Sequence, residues 1–395
     1  MHTAVSAPPA NPLEDRSRSF GILSTFPPTS CGIATFSAAL AAGLIETGAS
    51  VNVVRCGEPP EAEDVLVVAA LHDPELDESA RGAAALAALN ANDVVIVQHE
   101  YGLYDGVDGD SVVALLAEIV VPIIVVAHTV LSRPIPNQRT VLEAVCDRAD
   151  AIVVMTETAR SRLVDGYDVD RSKVSVIPHG AATPSAGSGA RRRSDDAPPR
   201  LLTWGLLGPG KGIEWAIDAL DELDDVRPMP EYVVAGATHP KVRERQGEAY
   251  RSMLVDRVAA STSPIDVTFD DTYRDLASLN ELIESADLVV LPYDSRDQVT
   301  SGVLVDAVAA GRPVVSTAFP HAVELLASGA GIVVPQRDPV ALGQAIRSVL
   351  TQPGLAASMA AEARRLAPGL SWSAVARRYA ALGDRVVTAE HSVAS

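Results

Sequence analysis

The sequence has few cysteines and no long apolar run. Its three cysteines, Cys31, Cys56 and Cys146, are odd in number and widely spaced. That pattern fits neither a disulfide framework nor a zinc site, so we expect reduced thiols in a cytoplasmic protein. The longest apolar run, residues 119–127, falls far short of the ~20 residues that span a bilayer. Residues 1–18 lack the apolar segment of a signal peptide, and we expect them to form a disordered tail.

Basic side chains are also scarce. The chain carries 32 Lys and Arg against 51 Asp and Glu, which gives a net charge of −19. Nucleic acid and anionic bilayers repel such a chain, so we expect no nucleic-acid partner and no membrane contact. A local basic pocket is compatible with this balance. The composition indicates no particular oligomeric state.

Strand and helix patterns alternate along almost the whole chain. Alternation of this kind predicts parallel sheets with helices on both faces. The Ser-, Gly-, Ala- and Pro-rich segment near 182–199 breaks the pattern and indicates a linker. We therefore predict an α/β fold of two Rossmann-like, doubly wound domains that face each other across a cleft. The predicted boundaries are 19–184 for the first domain, 185–199 for the linker and 200–368 for the second domain, in which one helix is expected near 241–259.

Residues 297–317 combine a polar loop, a short helix and a buried strand. Thr300 or Ser301 can cap the helix, and Gly302 leaves backbone N–H groups accessible. Such a helix start carries partial positive charge and can bind a phosphate. Asp306 lies four residues after Gly302 and shares its helix face, where an acid can hold a ribose hydroxyl. The spacing predicts a nucleotide site.

Other polar clusters follow predicted strands, where doubly wound sheets bind ligands. Residues 29–32, TSCG, open a helix and form either an ordinary turn or a loop for a phosphate or sugar. Residues 98–102, QHEYG, and the pair His128-Thr129 each end a buried strand. The loop 205–214, GLLGPGKGIE, combines close backbone approach with the positive charge of Lys211, which suits a diphosphate. Acidic pairs such as Asp270-Asp271 have no metal-ligand spacing and indicate solvated turns.

These motifs together resemble those of glycosyltransferase family 4, retaining enzymes of the GT-B fold, and more narrowly its mannosyltransferase-like branch. The resemblance runs from about residue 20 to residue 350. It is carried, in family order, by PPTSCGIATF, QHEYG, AHT, IPHG, GLLGPGKGIE, DQVTSG, AGRPVVST and VPQRDP.

The resemblance implies a nucleotide-sugar donor bound by the second domain and a small-molecule or saccharide acceptor bound by the first. It implies that the last helix, 371–390, packs back on the first domain. Lys211 matches the diphosphate-binding lysine and His128 the histidine near the reacting face of the donor sugar. Gly32 matches the glycine beside the diphosphate, and Asp306 the acid that holds the ribose.

We therefore predict three groups of site residues. The catalytic candidates are His128, Lys211 and Gln298. The donor-binding candidates are Gly32, Gly205, Leu207, Lys211, Tyr293, Thr300, Ser301, Gly302, Val303 and Asp306. The acceptor-binding candidates are His99, Glu100, Tyr101 and Thr129. No cofactor and no metal are expected.

Two positions depart from the family pattern. Gln298 stands where the first glutamate of the family's acidic pair is expected, and Leu206 stands in place of an arginine. Arg133, Arg139 and Arg296 are candidates to replace the missing cation.

The predicted reaction moves a hexose, with mannose from GDP-mannose favoured, to a soluble acceptor with retention. A front-face route needs no nucleophilic carboxylate, and Lys211 with the N–H groups of Ser301, Gly302 and Gly32 would stabilise the leaving diphosphate. The alternatives are a UDP-glucose-dependent glucosyltransferase, a nucleotide-sugar epimerase and a non-catalytic nucleotide-sugar-binding protein.

Overall fold

Two parallel sheets form the frame of the molecule. The computed structural model describes residues 18–29, 31–60, 64–182, 197–272 and 274–393. Within these ranges the first sheet has seven strands and the second has six. All neighbouring strands are parallel, as in the pairs that begin at Ser19 and Ser50 and at Arg200 and Glu231. The predicted α/β architecture of two doubly wound domains is confirmed.

The element bounds follow the alternation of the sequence. The first-domain strands are β1 Ser19–Ser24, β2 Ser50–Arg55, β3 Val67–Ala70, β4 Val94–His99, β5 Ile123–Ala127, β6 Ala151–Val154 and β7 Val174–Val176. Its helices are α1 Gly32–Glu46, α2 Glu78–Asn90, α3 Ser111–Ala117, α4 Pro136–Arg148 and α5 Glu157–Gly166. The second-domain strands are β8 Arg200–Trp204, β9 Glu231–Ala235, β10 Asp266–Asp270, β11 Leu288–Leu291, β12 Val314–Thr317 and β13 Gly331–Val334. The remaining helices are α6 Ile213–Ala219, α7 Pro240–Gln246, α8 Ala249–Ala260, α9 Leu276–Ser285, α10 Gly302–Ala309, α11 Pro320–Leu325, α12 Pro339–Thr351, α13 Leu355–Leu370 and α14 Trp372–Val393.

The single helix expected near 241–259 is wrong, because the chain breaks it at Gly247. That residue has φ +60°, which places it in the left-handed region, and its N–H donates to Arg243 O at 2.8 Å. The glycine therefore ends α7, and α8 starts two residues later. Residues 1–17 of the expected tail and 183–196 of the expected linker lie outside the described residues.

The positions of the strand-order reversals matter for ligand binding. The strand order is β3-β2-β1-β4-β5-β6-β7 in the first sheet and β10-β9-β8-β11-β12-β13 in the second. Each sheet therefore reverses its order beside its first strand, between β1 and β4 and between β8 and β11. Ligands of doubly wound sheets bind at the carboxyl ends of the strands at these points. The loops after β1, β4, β8 and β11 are therefore the expected walls of a site.

Helix α14 returns from the second domain and packs on the first. Its buried face joins the core that contains Phe20 and Phe36. The contact with α1 is close at Gly43, where an added Cβ would lie 2.8 Å from Ala376 Cβ and 3.1 Å from Trp372 O. None of the described helices is long and apolar enough to cross a bilayer.

The packing at Gly43 gives a matched test. Gly43→Ala gains about 1 kcal/mol of helix propensity, but the overpacking costs about 1–3 kcal/mol. We expect a net loss of stability of about 1 kcal/mol in thermal or urea unfolding. Gly82→Ala in α2 is the control, because a Cβ there meets nothing within 4 Å, and it should gain about 1 kcal/mol. A Gly43→Ala protein that unfolds at or above the wild-type midpoint would refute the close packing.

Candidate functional site

Hydrogen bonds and an ion pair join the two domains around the cleft. The Thr156 hydroxyl donates to Val299 O at 3.1 Å, and the Arg162 guanidinium lies 3.2 Å from the Asp297 carboxylate. At another point, Lys241 Nζ donates to Gly102 O at 3.1 Å. These contacts bring the carboxyl ends of the two sheets to face each other.

The N-terminus of α10 forms one wall. Ser301 is its N-cap and accepts a hydrogen bond from Leu304 N–H at 3.3 Å, which decides between the two expected caps. The Ser301 N–H itself donates to His321 Nδ1 at 2.8 Å. The expectation that this N–H is available to a phosphate is therefore wrong. Gly302 and Val303 occupy the first turn, where helical geometry offers no carbonyl partner.

The glycine-rich loop after β8 lies beside that helix start. Gly205 has φ +111°, and an added Cβ would lie 3.4 Å from Val303 Cγ2. Further along the loop, Gly210 O accepts a hydrogen bond from Asp294 N–H at 2.9 Å. The Lys211 ammonium then lies 4.4 Å from the centroid of the Tyr293 ring. The loop thus contacts the first turn of α10 at Gly205 and holds a cation over the Tyr293 ring.

Two predicted donor contacts lie beneath the surface of this wall. Tyr293 is 1% exposed and stacks on Phe319 at a centroid distance of 5.0 Å. Leu207 is also 1% exposed, and its N–H donates to Ala237 O at 2.9 Å. Because neither side chain offers surface to the cleft, both support the loop and Lys211 in this arrangement.

Asp306 is the open acid of the site. Its half-buried side chain lies one turn after Gly302. Burial raises the pKa of this carboxyl to about 7. Burial alone acts on that pKa, and among the described residues no hydrogen bond or ion pair satisfies the carboxylate. A hydroxyl donor such as a ribose would satisfy it.

The side chains of Gln298 and Thr300 point toward the loop that carries them. The Gln298 side-chain amide donates to Thr300 O, and Gln298 O accepts the His321 N–H at 3.3 Å. The Thr300 hydroxyl is buried and has no hydrogen-bond partner among the described residues. These contacts fix the loop that precedes α10.

The opposite wall carries a neutral histidine. His128 Nε2 lies 2.7 Å from Gln98 Oε1, and the His128 ring packs edge-on against Phe36 at 4.9 Å. Burial, with His179 and His99 nearby, lowers the pKa of His128 to about 3. The ring is therefore uncharged at neutral pH and can accept or donate one hydrogen bond without adding charge to the cleft.

The expected acceptor contacts divide into two pairs. His99 is 1% exposed and Tyr101 is 9% exposed, and their rings pack edge to face at 5.3 Å. Neither side chain therefore offers much surface here, and their contact with an acceptor stays a prediction. Glu100 and Thr129 are half-buried and hydrogen-bonded to each other, and burial raises the Glu100 pKa. Of the four predicted acceptor contacts, Glu100 and Thr129 are the two whose side chains are half-exposed.

The N-terminus of α1 is open at Gly32. An added Cβ there would meet nothing within 4 Å, and the helix is capped by the Cys31 thiol, which accepts Ala34 N–H at 3.3 Å. Beneath the preceding loop, Arg55 is 7% exposed and donates to the Thr29 hydroxyl at 2.8 Å. The buried guanidinium adds positive charge close to this helix start.

Three residues of this region were missed by sequence reasoning: Arg55, His179 and His321. His179 touches the helix start of α10, since a Cβ on Gly302 would lie 3.0 Å from its ring. Both histidines follow strands, which is the signal that identified His128. Arg55 carries no such signal, because a guanidinium at a strand end is ordinarily solvated.

No metal-binding cluster is apparent in the described ranges, where no group of three or more His, Cys, Asp or Glu side chains could hold an ion.

The arginines considered as replacements for the cation missing at Leu206 are either paired with other groups or exposed. Arg139 is held by Glu143 at 3.2 Å and covers the Tyr167 ring, while Arg133 and Arg296 are exposed. Lys211, on the loop that contacts α10 at Gly205, therefore stays the candidate cation for a diphosphate.

Known proteins resemble the chain over both domains. Residues 31–183 match the family described as "Glycosyltransferase Family 4", and residues 198–352 match "Glycosyl transferases group 1". The chain is 30% identical over 304 residues to a D-inositol 3-phosphate glycosyltransferase of Geodermatophilus obscurus, covering 70% of this chain and 65% of that protein. It is 28% identical over 270 residues to the D-inositol 3-phosphate glycosyltransferase of Kineococcus radiotolerans, covering 62% of this chain and 59% of that protein. The chain thus spans less than two thirds of the length of these relatives.

Solved structures share the fold. Sucrose-phosphate synthase from Thermosynechococcus elongatus superposes with a TM-score of 0.70 at 18% identity, covering 94% of this chain and 100% of that one. Anabaena HepE in complex with UDP-glucose superposes with a TM-score of 0.68 at 15% identity, covering 92% and 99%. The two facing sheets are those of the GT-B fold, and with glycosyltransferase families matched along both of its domains the chain belongs to glycosyltransferase family 4.

Proposed function

We propose that the protein transfers a sugar from a nucleoside diphosphate sugar to an acceptor bound by the first domain. The observation that carries the proposal is the meeting of three features at one wall of the cleft. These are the open first turn of α10, the Lys211 ammonium on the loop that contacts that turn at Gly205, and the unpartnered Asp306 carboxyl one turn below. The N–H groups and the ammonium suit a diphosphate, and the carboxyl suits a hydroxyl of the attached ribose.

The leaving diphosphate would gain negative charge as the glycosidic bond breaks. The N–H groups of Gly302 and Val303 and the Lys211 ammonium would stabilise that charge from the second domain. Gly32, at the open N-terminus of α1, would approach it from the first domain. Fixed donors of this kind act on developing charge without reorganising, which is why they lower the barrier.

Retention of the anomeric configuration is part of the proposal. A double displacement needs two carboxylates about 5 Å apart, and the chain has Gln298 where one of them is expected. A front-face route is compatible with the residues present, since the leaving phosphate itself would accept the proton of the acceptor hydroxyl. Neutral His128 would contact the donor sugar.

The donor we favour is GDP-mannose, on the resemblance to the mannosyltransferase-like branch. UDP-glucose is the second candidate, because a structure of the same fold is described in complex with UDP-glucose. A donor panel that measures release of GDP or UDP with and without candidate sugars would separate the two. Tight donor binding with neither transfer nor hydrolysis would instead favour the non-catalytic alternative.

The role of Lys211 can be tested by removing its charge. We expect Lys211→Met to lower kcat by about 10²–10³-fold, as for loss of one donor to a developing anion. Lys173→Met is the matched control. Lys173 lies in the first domain, and its ammonium donates a hydrogen bond to Asp147 O near the C-terminus of α4 at 3.2 Å. Lys173→Met should keep the wild-type rate. Full transfer activity in Lys211→Met would contradict the proposed diphosphate site.

The role of Asp306 can be tested by pH. Its raised pKa means that the carboxyl becomes charged only as the pH rises through about 7. A ribose hydroxyl binds a charged carboxylate more tightly than a neutral acid, so donor affinity should rise by up to about tenfold from pH 6 to pH 8. Calorimetric titration with the intact nucleotide sugar measures this change, since its diphosphate diester has no proton to lose in this range. Asp306→Asn should flatten the profile, and a slope that survives in Asp306→Asn would assign it to another group.

A further inference from the structure

Helix α11 lies between the donor wall and the first domain. It carries His321 near its start and Glu324 one turn later. Each of these side chains bonds to a group outside the helix, and the two groups belong to different domains. The helix is therefore connected in both directions across the cleft.

His321 holds the loop before α10 at two points. Its Nδ1 accepts the Ser301 N–H at 2.8 Å, and its backbone N–H donates to Gln298 O at 3.3 Å. The side chain is 4% exposed, and burial, with His179 nearby, lowers its pKa to about 3. The ring is therefore neutral at physiological pH, and the Nδ1 lone pair stays available to Ser301.

The Ser301 contact decides which N–H groups a ligand can reach. Ser301 is 5% exposed, so without the histidine its N–H would be a buried donor with no partner. A buried donor left unsatisfied is strongly unfavourable, and the loop would turn to find water or another acceptor. The first turn of α10 would move with it, because Ser301 is the N-cap of that helix.

Glu324 fixes the other side of α11. Its carboxylate accepts hydrogen bonds from Glu157 N–H at 2.8 Å and from Thr158 N–H at 2.9 Å. These groups form the start of α5 in the first domain, where a carboxylate is favoured by the helix dipole. Glu324 thus caps a helix of the opposite domain and holds α11 in place.

We propose that His321 is a positioning residue for the donor site. It fixes residues 298–301 so that Gly302 and Val303, rather than Ser301, present their N–H groups to a diphosphate, and Glu324 anchors the same helix to the first domain. The donor part of this inference rests on the function proposed above. The Ser301 contact itself does not.

Three substitutions at one position separate the hydrogen bond from the shape of the ring. His321→Asn keeps an acceptor at the place of Nδ1, His321→Gln moves it to the place of Nε2, and His321→Phe keeps the ring without an acceptor. Two readouts are measured on the full chain: hydrogen–deuterium exchange at the Ser301 amide, and the affinity for GDP-mannose and UDP-glucose by calorimetry. The amides of Glu157 and Thr158 serve as an internal reference, since Glu324 protects them.

We expect His321→Phe and His321→Gln to speed exchange at Ser301 by about tenfold or more and to weaken donor binding by a similar factor, with His321→Asn close to wild type in both. Exchange at residues 157 and 158 should stay unchanged.

Unchanged Ser301 exchange in His321→Phe, or equal losses in all three variants, would overturn the inference. If wild-type protein binds neither nucleotide sugar while exchange follows the expected order, the donor assignment fails and the positioning of Ser301 stands. If His321→Phe does not fold, the Asn and Gln pair still decides the outcome.

Discussion

The start of α10 is the constraint on which the cleft depends. A helix N-terminus leaves N–H groups without carbonyl partners, and here only some of these groups find another acceptor in the protein. The Ser301 N–H donates to a histidine nitrogen of α11, while the N–H groups of Gly302 and Val303 have no carbonyl partner within the helix. An anion that enters the cleft therefore completes the helix, and its binding is favoured by the same electrostatics that would otherwise make the open turn unfavourable.

Charge is used sparingly around this helix start. His179 and His321 contact it and His128 lies on the opposite wall, and burial lowers the pKa of each to about 3 or 4, so they contribute hydrogen-bonding groups without charge. Lys211 is the cation of the wall, supported underneath by the Tyr293 ring. An acidic protein with a net charge of −19 can thus attract a diphosphate locally, through this cation and the partial positive charge of the helix start.

The sequence predicts the sheets and the strand-end loops well because these depend on local periodicity and on glycine. The order of strand and helix, a cap at Thr300 or Ser301 and the turn at Gly205 all follow from residue patterns within about ten positions. Burial of Tyr293, His99 and Tyr101 does not follow, because a polar aromatic residue at a strand end can turn inward or outward with the same local sequence. The Ser301–His321 contact spans 20 residues and depends on where α11 packs, which no local pattern encodes.

Gln298 shows how a departure from the family pattern can be built into a structure. Its amide nitrogen donates to Thr300 O, a carbonyl two residues along the same loop. A glutamate at this position would set a carboxylate against that carbonyl, and two acceptors cannot share a hydrogen bond. The loop is therefore adapted to the amide, with His321 holding Gln298 O and the Ser301 N–H on either side. It follows that the amide and the histidine act as one unit that shapes the start of α10, and that the carboxylate of the family pattern would require a different loop.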